Sequence, residues 1–335
     1  MPLVTDRTAV LALFAEANGN GWVIPAFGTE NLTTTEAVLA AAREHGECLG
    51  CPDLPVMLAV TNQYQERTQT AYYTHTRDWR VGLELFLADL AVLAGKDSPF
   101  GRLRVLIHLD HTQHDLDAEL WRGDLSRFSS IMFDASTLPF DGNLALTRKF
   151  MNDRQAEIVI EGACDYVGGK ESRLTRVEDA ERFASETGVD WIVANLGTEH
   201  RAGGSALRYA RERAREISGR IGRRLVLHGT SSVAKEELPH LFADGIAKVN
   251  LWTALERDAS GPLLREMALH AAKVSGAASA LQMAEAGLLG RNADIQSPAR
   301  ISHFTTAWRQ QVVFEKMKQI VKQYLGAWYP APPQA

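Results

Sequence analysis

Cysteine is scarce in this chain of 335 residues: Cys48, Cys51 and Cys164 are the only three. So small and odd a number cannot build a disulfide framework. Cys48-Leu-Gly-Cys51 is a C-x-x-C with no second pair, and it reads as a loop carrying two free thiols. Long apolar runs are also missing, since none approaches the ~18 residues that span a bilayer. The opening Met-Pro-Leu-Val-Thr-Asp-Arg lacks the basic-then-apolar pattern of a secretory signal. Neither sign of charge dominates: 36 basic and 41 acidic residues leave a net charge of −5. That weak acidic balance argues against a nucleic-acid surface, but it leaves room for a small anionic substrate, which local charge decides. No internal repeat or low-complexity tract is present. Together these absences predict a reduced, cytoplasmic protein with neither nucleic acid nor membrane as partner.

Short apolar runs, rich in Val, Ile and Leu, recur almost from end to end. They cover 22–27, 55–60, 103–109, 130–133, 157–160, 191–196, 224–227 and 246–249. Their lack of strict alternation is the pattern of parallel strands buried on both faces. Amphipathic stretches separate them at 34–45, 79–93, 115–121, 143–151, 177–187, 206–217 and 234–242. Eight strands with intervening helices predict an α/β fold, a (β/α)8 TIM barrel. We expect the catalytic barrel to occupy residues 1–260. A helical extension over 261–335 then packs on the barrel or forms an oligomer interface, with its main helix over 306–325 and an extended Pro-containing tail.

Unusual polar residues gather at one end of this map. His108, Asp110 and His111 close the third strand, Asp134 follows the fourth, and Glu161 ends the fifth. Gly168-Gly169-Lys170-Glu171 lies in the loop after it, and His200 follows strand six. His228 ends strand seven and leads into Gly229-Thr230-Ser231-Ser232, while Asn250 ends strand eight ahead of Thr253. All fall at the carboxyl ends of strands, where barrel enzymes build their active sites. Histidines from three strand ends suit a catalytic metal with a position left open for substrate.

These segments resemble a known family, the zinc-dependent class II fructose-bisphosphate (ketose-bisphosphate) aldolases. The likeness rests on Val23-Ile24-Pro25-Ala26-Phe27 with Asn31-Leu32, Ile107-His108-Leu109-Asp110-His111, and Asn195-Leu196-Gly197-Thr198-Glu199-His200. Leu225-Val226-Leu227-His228-Gly229 and Lys248-Val249-Asn250-Leu251-Trp252-Thr253 complete it. Five segments in order, each at a strand end, carry more weight than any one. The resemblance implies a carbon–carbon lyase, an aldehyde-lyase of carbohydrate metabolism. His111, His200 and His228 would hold one catalytic zinc. Asp134 and Glu161 match acidic positions around the metal, used in some members for a second ion or a monovalent cation; each could instead orient a histidine. Asp110 would serve the C4 oxygen, and Glu171 would remove the C3 proton. Gly229, Ser231, Asn250 and Thr253 match substrate contacts. The implied substrate is a small, phosphorylated or otherwise anionic sugar, and the C-terminal helices suggest a homo-oligomer, a dimer or tetramer.

The recognition half departs from the family pattern. Gly229-Thr230-Ser231-Ser232 replaces Gly-Gly-Ser-Gly, and Arg201 stands where a glycine follows the strand-six histidine. Ala202-Gly203-Gly204-Ser205 stands in place of the expected lysine and proline. Trp252 replaces an aspartate that ordinarily meets the substrate, and Gly28 replaces asparagine. Arg201, with its forked guanidinium, could substitute for the missing lysine as an anion ligand. The same reaction on a substrate other than fructose 1,6-bisphosphate is the expectation. Two alternatives are a metal-dependent barrel hydrolase and a degenerate aldolase-like binding protein. The first usually opens with a His-x-His pair on strand one, which 23–28 lacks, and the second would not be expected to keep the whole set of acids and histidines. Lys170, Lys235 and Lys248 could in principle form an imine, but the histidines would then have no purpose.

Overall fold

Strand after strand, the apolar runs pair with their sequence neighbours until the eighth returns to the first. In this computed structural model, which describes residues 3–167, 173–199 and 209–331, eight parallel strands close a barrel in sequence order. They are β1 Ile24–Gly28, β2 Pro55–Thr61, β3 Arg104–Gln113, β4 Ser130–Asp134, β5 Val159–Ala163, β6 Trp191–Val193, β7 Leu225–Leu227 and β8 Ile246–Leu251. Every residue of β1, β2, β4 and β5 is buried, as the continuous apolar runs require when side chains fill the barrel on one face and meet helices on the other.

Local chemistry sets the helix boundaries. Asn31 caps the helix Leu32–Leu49 in a reciprocal box with Thr34, and Gly50, left-handed at φ 70°, closes it. The amphipathic stretch at 234–242 does not become a helix. Among the described residues it holds turns and one short 3₁₀ piece, Leu238–His240, because Pro239 has no N–H to donate in a helix interior. The strands β6 and β7 are three residues each, shorter than their apolar runs, since the chain beyond them turns into the site.

A further helix, Arg7–Gly19, precedes the barrel. The helix Thr253–Leu269 runs across residue 260, so barrel and C-terminal segment share one rod. The long helix Thr306–Trp328 packs against Leu32–Leu49 and Thr253–Leu269. Its Met317, Val321, Leu325 and Trp328 are buried in the main core, and the Tyr329 hydroxyl donates to the Pro55 carbonyl at 2.9 Å. That contact lies at the amino end of β2, opposite the site. No described helix is long and apolar enough to cross a membrane.

Candidate active site

The site begins with an irregularity in β3. Its register against β4 shifts between Leu109 and Thr112, and within the bulge His111 adopts φ 46°. A histidine in the left-handed region is uncommon, and a bulge is a means of re-aiming side chains at a barrel rim. Here Asp110 and His111, adjacent in sequence, both face the mouth and meet His228 from the end of β7. One potential ligand atom from each of these three lies within 4.8 Å of the others.

The two imidazoles are oriented from behind. His111 Nδ1 lies 2.9 Å from Asp134 Oδ2, and His228 Nε2 lies 3.2 Å from Glu161 Oε1. Burial pushes the Asp134 carboxyl up, but the hydrogen bond and charge of His111 outweigh it and bring it to about 2. Burial likewise opposes ionisation of Glu161, and Lys248 and His228 overcome it, again to about 2. Ionised carboxylates only accept, so each imidazole must donate its rear N–H. The remaining nitrogens, His111 Nε2 and His228 Nδ1, then present lone pairs to one another across 3.1 Å. Two facing lone pairs repel unless a cation or a proton lies between or beside them. The His111 ring shows the same demand for positive charge: burial lowers its pKa, but Asp110 and Asp134 raise it further. The residues present therefore fit a divalent metal. Asp134 and Glu161, which the family resemblance implies as acidic positions around a metal, contact the rear nitrogens of the two histidines.

A second chain of contacts fixes Asp110. Lys248 on β8 is fully buried, and its Nζ lies 2.7 Å from Glu161 Oε2, 2.7 Å from Asn250 Oδ1 and 3.1 Å from His108 Nε2. His108 in turn holds Ser130 at 2.8 Å, and burial together with Lys248 lowers its pKa. Asn250 Nδ2 donates to Asp110 Oδ1 at 2.9 Å. Three acceptors use all three N–H groups of the lysine ammonium, leaving no lone pair for imine chemistry.

A cleft of about 630 Å³, its open mouth included, runs from this cluster. The loop 229–232 forms one side: Gly229, at φ 64°, has no room for a side chain, since a Cβ would fall 2.9 Å from the Glu199 carbonyl. Ser232 Oγ ties that loop to Glu199 N and O at 2.9 and 2.7 Å. Ser231, Asn250, Trp252 and Thr253 also line the cleft. Glu171, His200 and Arg201, with Gly168, Gly169, Lys170 and 202–205, lie outside the described residues.

Several lining groups carried no signal in the sequence. Tyr64, after β2, stacks on the His111 ring with centroids 4.2 Å apart and planes 5° apart. Arg67 and Gln69 follow it along the wall; their position after a strand was the one available hint. Behind them, burial, then Glu30, raise the Glu256 carboxyl to about 7. Between its unfolded value near 4.5 and about 7, the unfolded chain ionises while the folded one does not, so stability falls across that window. Glu256→Gln should remove roughly 2–3 kcal/mol of that decline. Urea unfolding at pH 4.5 and 7.5 checks this, and parallel pH profiles for the two proteins would contradict it.

A parallel barrel with acids and imidazoles at its strand ends is the architecture of a metal-assisted barrel enzyme. The chain belongs to the class II fructose-bisphosphate aldolase family, whose model matches residues 8–327. It is a carbon–carbon lyase. A sulfofructosephosphate aldolase from Alkalicoccus urumqiensis is 27% identical over 266 residues, covering 76% of this chain and 82% of the relative. Among solved structures, a fructose-bisphosphate aldolase from Campylobacter jejuni superposes with TM-score 0.75 at 16% identity, covering 99% and 97% of the two chains. The YdjI aldolase from Escherichia coli K12 does so at 0.67 and 18%, over 99% and 98%. These structures bear on the fold, a TIM barrel.

Proposed function

We propose that the chain catalyses reversible, zinc-dependent aldol cleavage of a ketose phosphate or related acidic sugar, with a best substrate other than fructose 1,6-bisphosphate. The observation that carries this reading is the apposition of His111 Nε2 and His228 Nδ1 at 3.1 Å beside Asp110, each ring held from behind by an ionised carboxylate. His200 is the third imidazole of the set. When bound there, zinc would supply an electrophile for the ketose carbonyl.

The chain's own groups do the rest. Asp110, aimed by Asn250, passes a proton to or from the C4 oxygen as the C3–C4 bond forms or breaks. Glu171 takes the C3 proton in the condensation direction. Gly229 and Ser231 hold the phosphate with backbone N–H groups and a hydroxyl, assisted by Arg201, and Asn250 and Thr253 hold substrate oxygens. Water is kept from one face of the site by Tyr64 on His111. We place the enzyme in the cytoplasm as a homo-oligomer, dimer or tetramer. Residues 261–335 would form its appendage and supply the contact through Leu288 and Ile301, which are 74% and 73% exposed.

The altered substrate follows from Trp252 and Gly28. An indole cannot accept the hydrogen bond that an aspartate can, and an unpaired substrate hydroxyl costs about 1–3 kcal/mol. The aldolase relative of Alkalicoccus urumqiensis, named for a sulfonated sugar phosphate, supports the same direction. We expect fructose 1,6-bisphosphate to be at least about tenfold worse in kcat/KM than the best member of a panel of ketose phosphates, sulfonates and free ketoses. Trp252→Asp should narrow that gap. Fructose 1,6-bisphosphate emerging as the best substrate of the unmodified enzyme would overturn the reading.

A further inference from the structure

We propose that Arg67 is the ligand for a singly charged oxyanion, a sulfonate in preference to a phosphate, at the end of the substrate remote from the metal-side carbons. This inference rests on the aldolase reading above. Among the described residues lining the cleft, Arg67 is the one side chain with a permanent positive charge. It shares that cleft with Asp110, His111 and His228, and arrives on the segment that follows β2.

The side chain is preorganised. Glu30, only 9% exposed, accepts from Arg67 Nε at 3.0 Å and from Nη2. Gln69 Nε2 donates to the same carboxylate at 3.2 Å, and the guanidinium lies 4.3 Å from the centroid of Tyr72. One edge of the fork is thereby tied down. Nη1 has no hydrogen-bond partner among the described residues, and the side chain is 32% exposed, so this edge can donate to a ligand in place of water. A guanidinium edge is donor-only and planar, and it matches the paired oxygens of an oxyanion rather than a lone hydroxyl. Because the side chain is already ordered, binding sacrifices little rotamer entropy.

Gly28 and Trp252 shape this end of the cleft as a unit. A side chain at position 28 would place its Cβ 2.9 Å from Trp252 Cβ and 3.3 Å from Gln69 Nε2. Glycine at 28 therefore lets the end of β1 approach residue 252 and Gln69 more closely than a side chain would allow. The local charge selects among anions. Arg67 brings one positive charge, already opposed by Glu30, and Glu66 lines the same cleft. A sulfonate brings one negative charge, whereas a phosphate monoester brings about −1.5 to −2 at neutral pH. The more highly charged group would meet uncompensated repulsion here.

The test uses the full-length, metal-loaded enzyme in the condensation direction. Dihydroxyacetone phosphate is the donor, and the acceptors are glyceraldehyde, glyceraldehyde 3-phosphate and the 3-sulfonate analogue of glyceraldehyde. Wild-type enzyme should favour the sulfonate. In Arg67→Gln the ratio of kcat/KM for sulfonate over glyceraldehyde should drop about 10- to 100-fold, carried mainly by KM. Arg67→Lys, which keeps the charge but not the fork, should recover part of it. Thermal unfolding of each variant verifies the fold. An unchanged ratio, or a wild-type preference for glyceraldehyde, overturns the proposal; a ratio that collapses for the phosphate alone overturns the assignment of a single charge. Solvent exchange of the donor's C3 proton by wild-type enzyme without acceptor separates the two readings. Its absence refutes the aldolase reading, while its presence with an unchanged ratio refutes the role of Arg67 alone.

Discussion

Replacing His228 with alanine is expected to remove the metal and lower kcat/KM by roughly 10³-fold or more, because the carbonyl loses several kcal/mol of electrophilic stabilisation. His228 has a nitrogen on the cluster and a nitrogen on Glu161. Its loss would therefore remove a proposed ligand and leave a buried carboxylate with Lys248 as its remaining strong partner. Asp134→Asn provides the contrast. Asp134 touches His111 Nδ1 rather than the shared space between the rings, so its replacement should weaken metal affinity by about 10- to 100-fold without abolishing it. Metal analysis of the purified variants, with kcat/KM on the best substrate, checks both. Equal effects at His228 and Asp134 would contradict the two-layer arrangement.

Lys248→Met should be the most destabilising single change in the site. Lys248 and Glu161 are both fully buried and 2.7 Å apart. Breaking such a pair from one side leaves an uncompensated charge, at a cost of about 3–5 kcal/mol. Asn250 would also lose the contact that orients it toward Asp110, so activity should fall in whatever fraction remains folded. Denaturant unfolding measures the first effect. Borohydride added with substrate separates the structural role from an imine: the wild-type enzyme should keep its activity, and inactivation with label on Lys248 would contradict the buried-ammonium account.

Much of this was legible in the sequence, and the reasons differ from residue to residue. The barrel was readable because strands buried on both faces must be continuously apolar, and because parallel strands need crossovers that appear as helical stretches. The mouth was readable because polar residues clustered after those runs. The bulge in β3 was not, since nothing local announces that His111 will take a positive φ. Asp134 and Glu161 could be placed near the histidines from the family resemblance, but which ring nitrogens they meet depends on ring orientation, set by contacts 23 and 67 residues apart. Arg67 was invisible for the same reason: its partner Glu30 lies 37 residues away on another loop. The stretch at 234–242 has helical periodicity, yet Pro239 limits it to a 3₁₀ turn. The linkage of Gly28 to Trp252 became apparent only when β1 was seen beside β8.

Carbon acidification at this site should depend on a metal held by the histidine cluster and on a carboxylate base. The most direct measurement is exchange of the C3 proton of dihydroxyacetone phosphate into deuterated water, with no acceptor present. Metal-loaded enzyme should catalyse it, chelation should stop it, and zinc should restore it. Glu171→Gln should keep the metal and slow exchange by roughly two to four orders of magnitude. Exchange that continues undiminished in enzyme shown by elemental analysis to be free of metal would contradict the account.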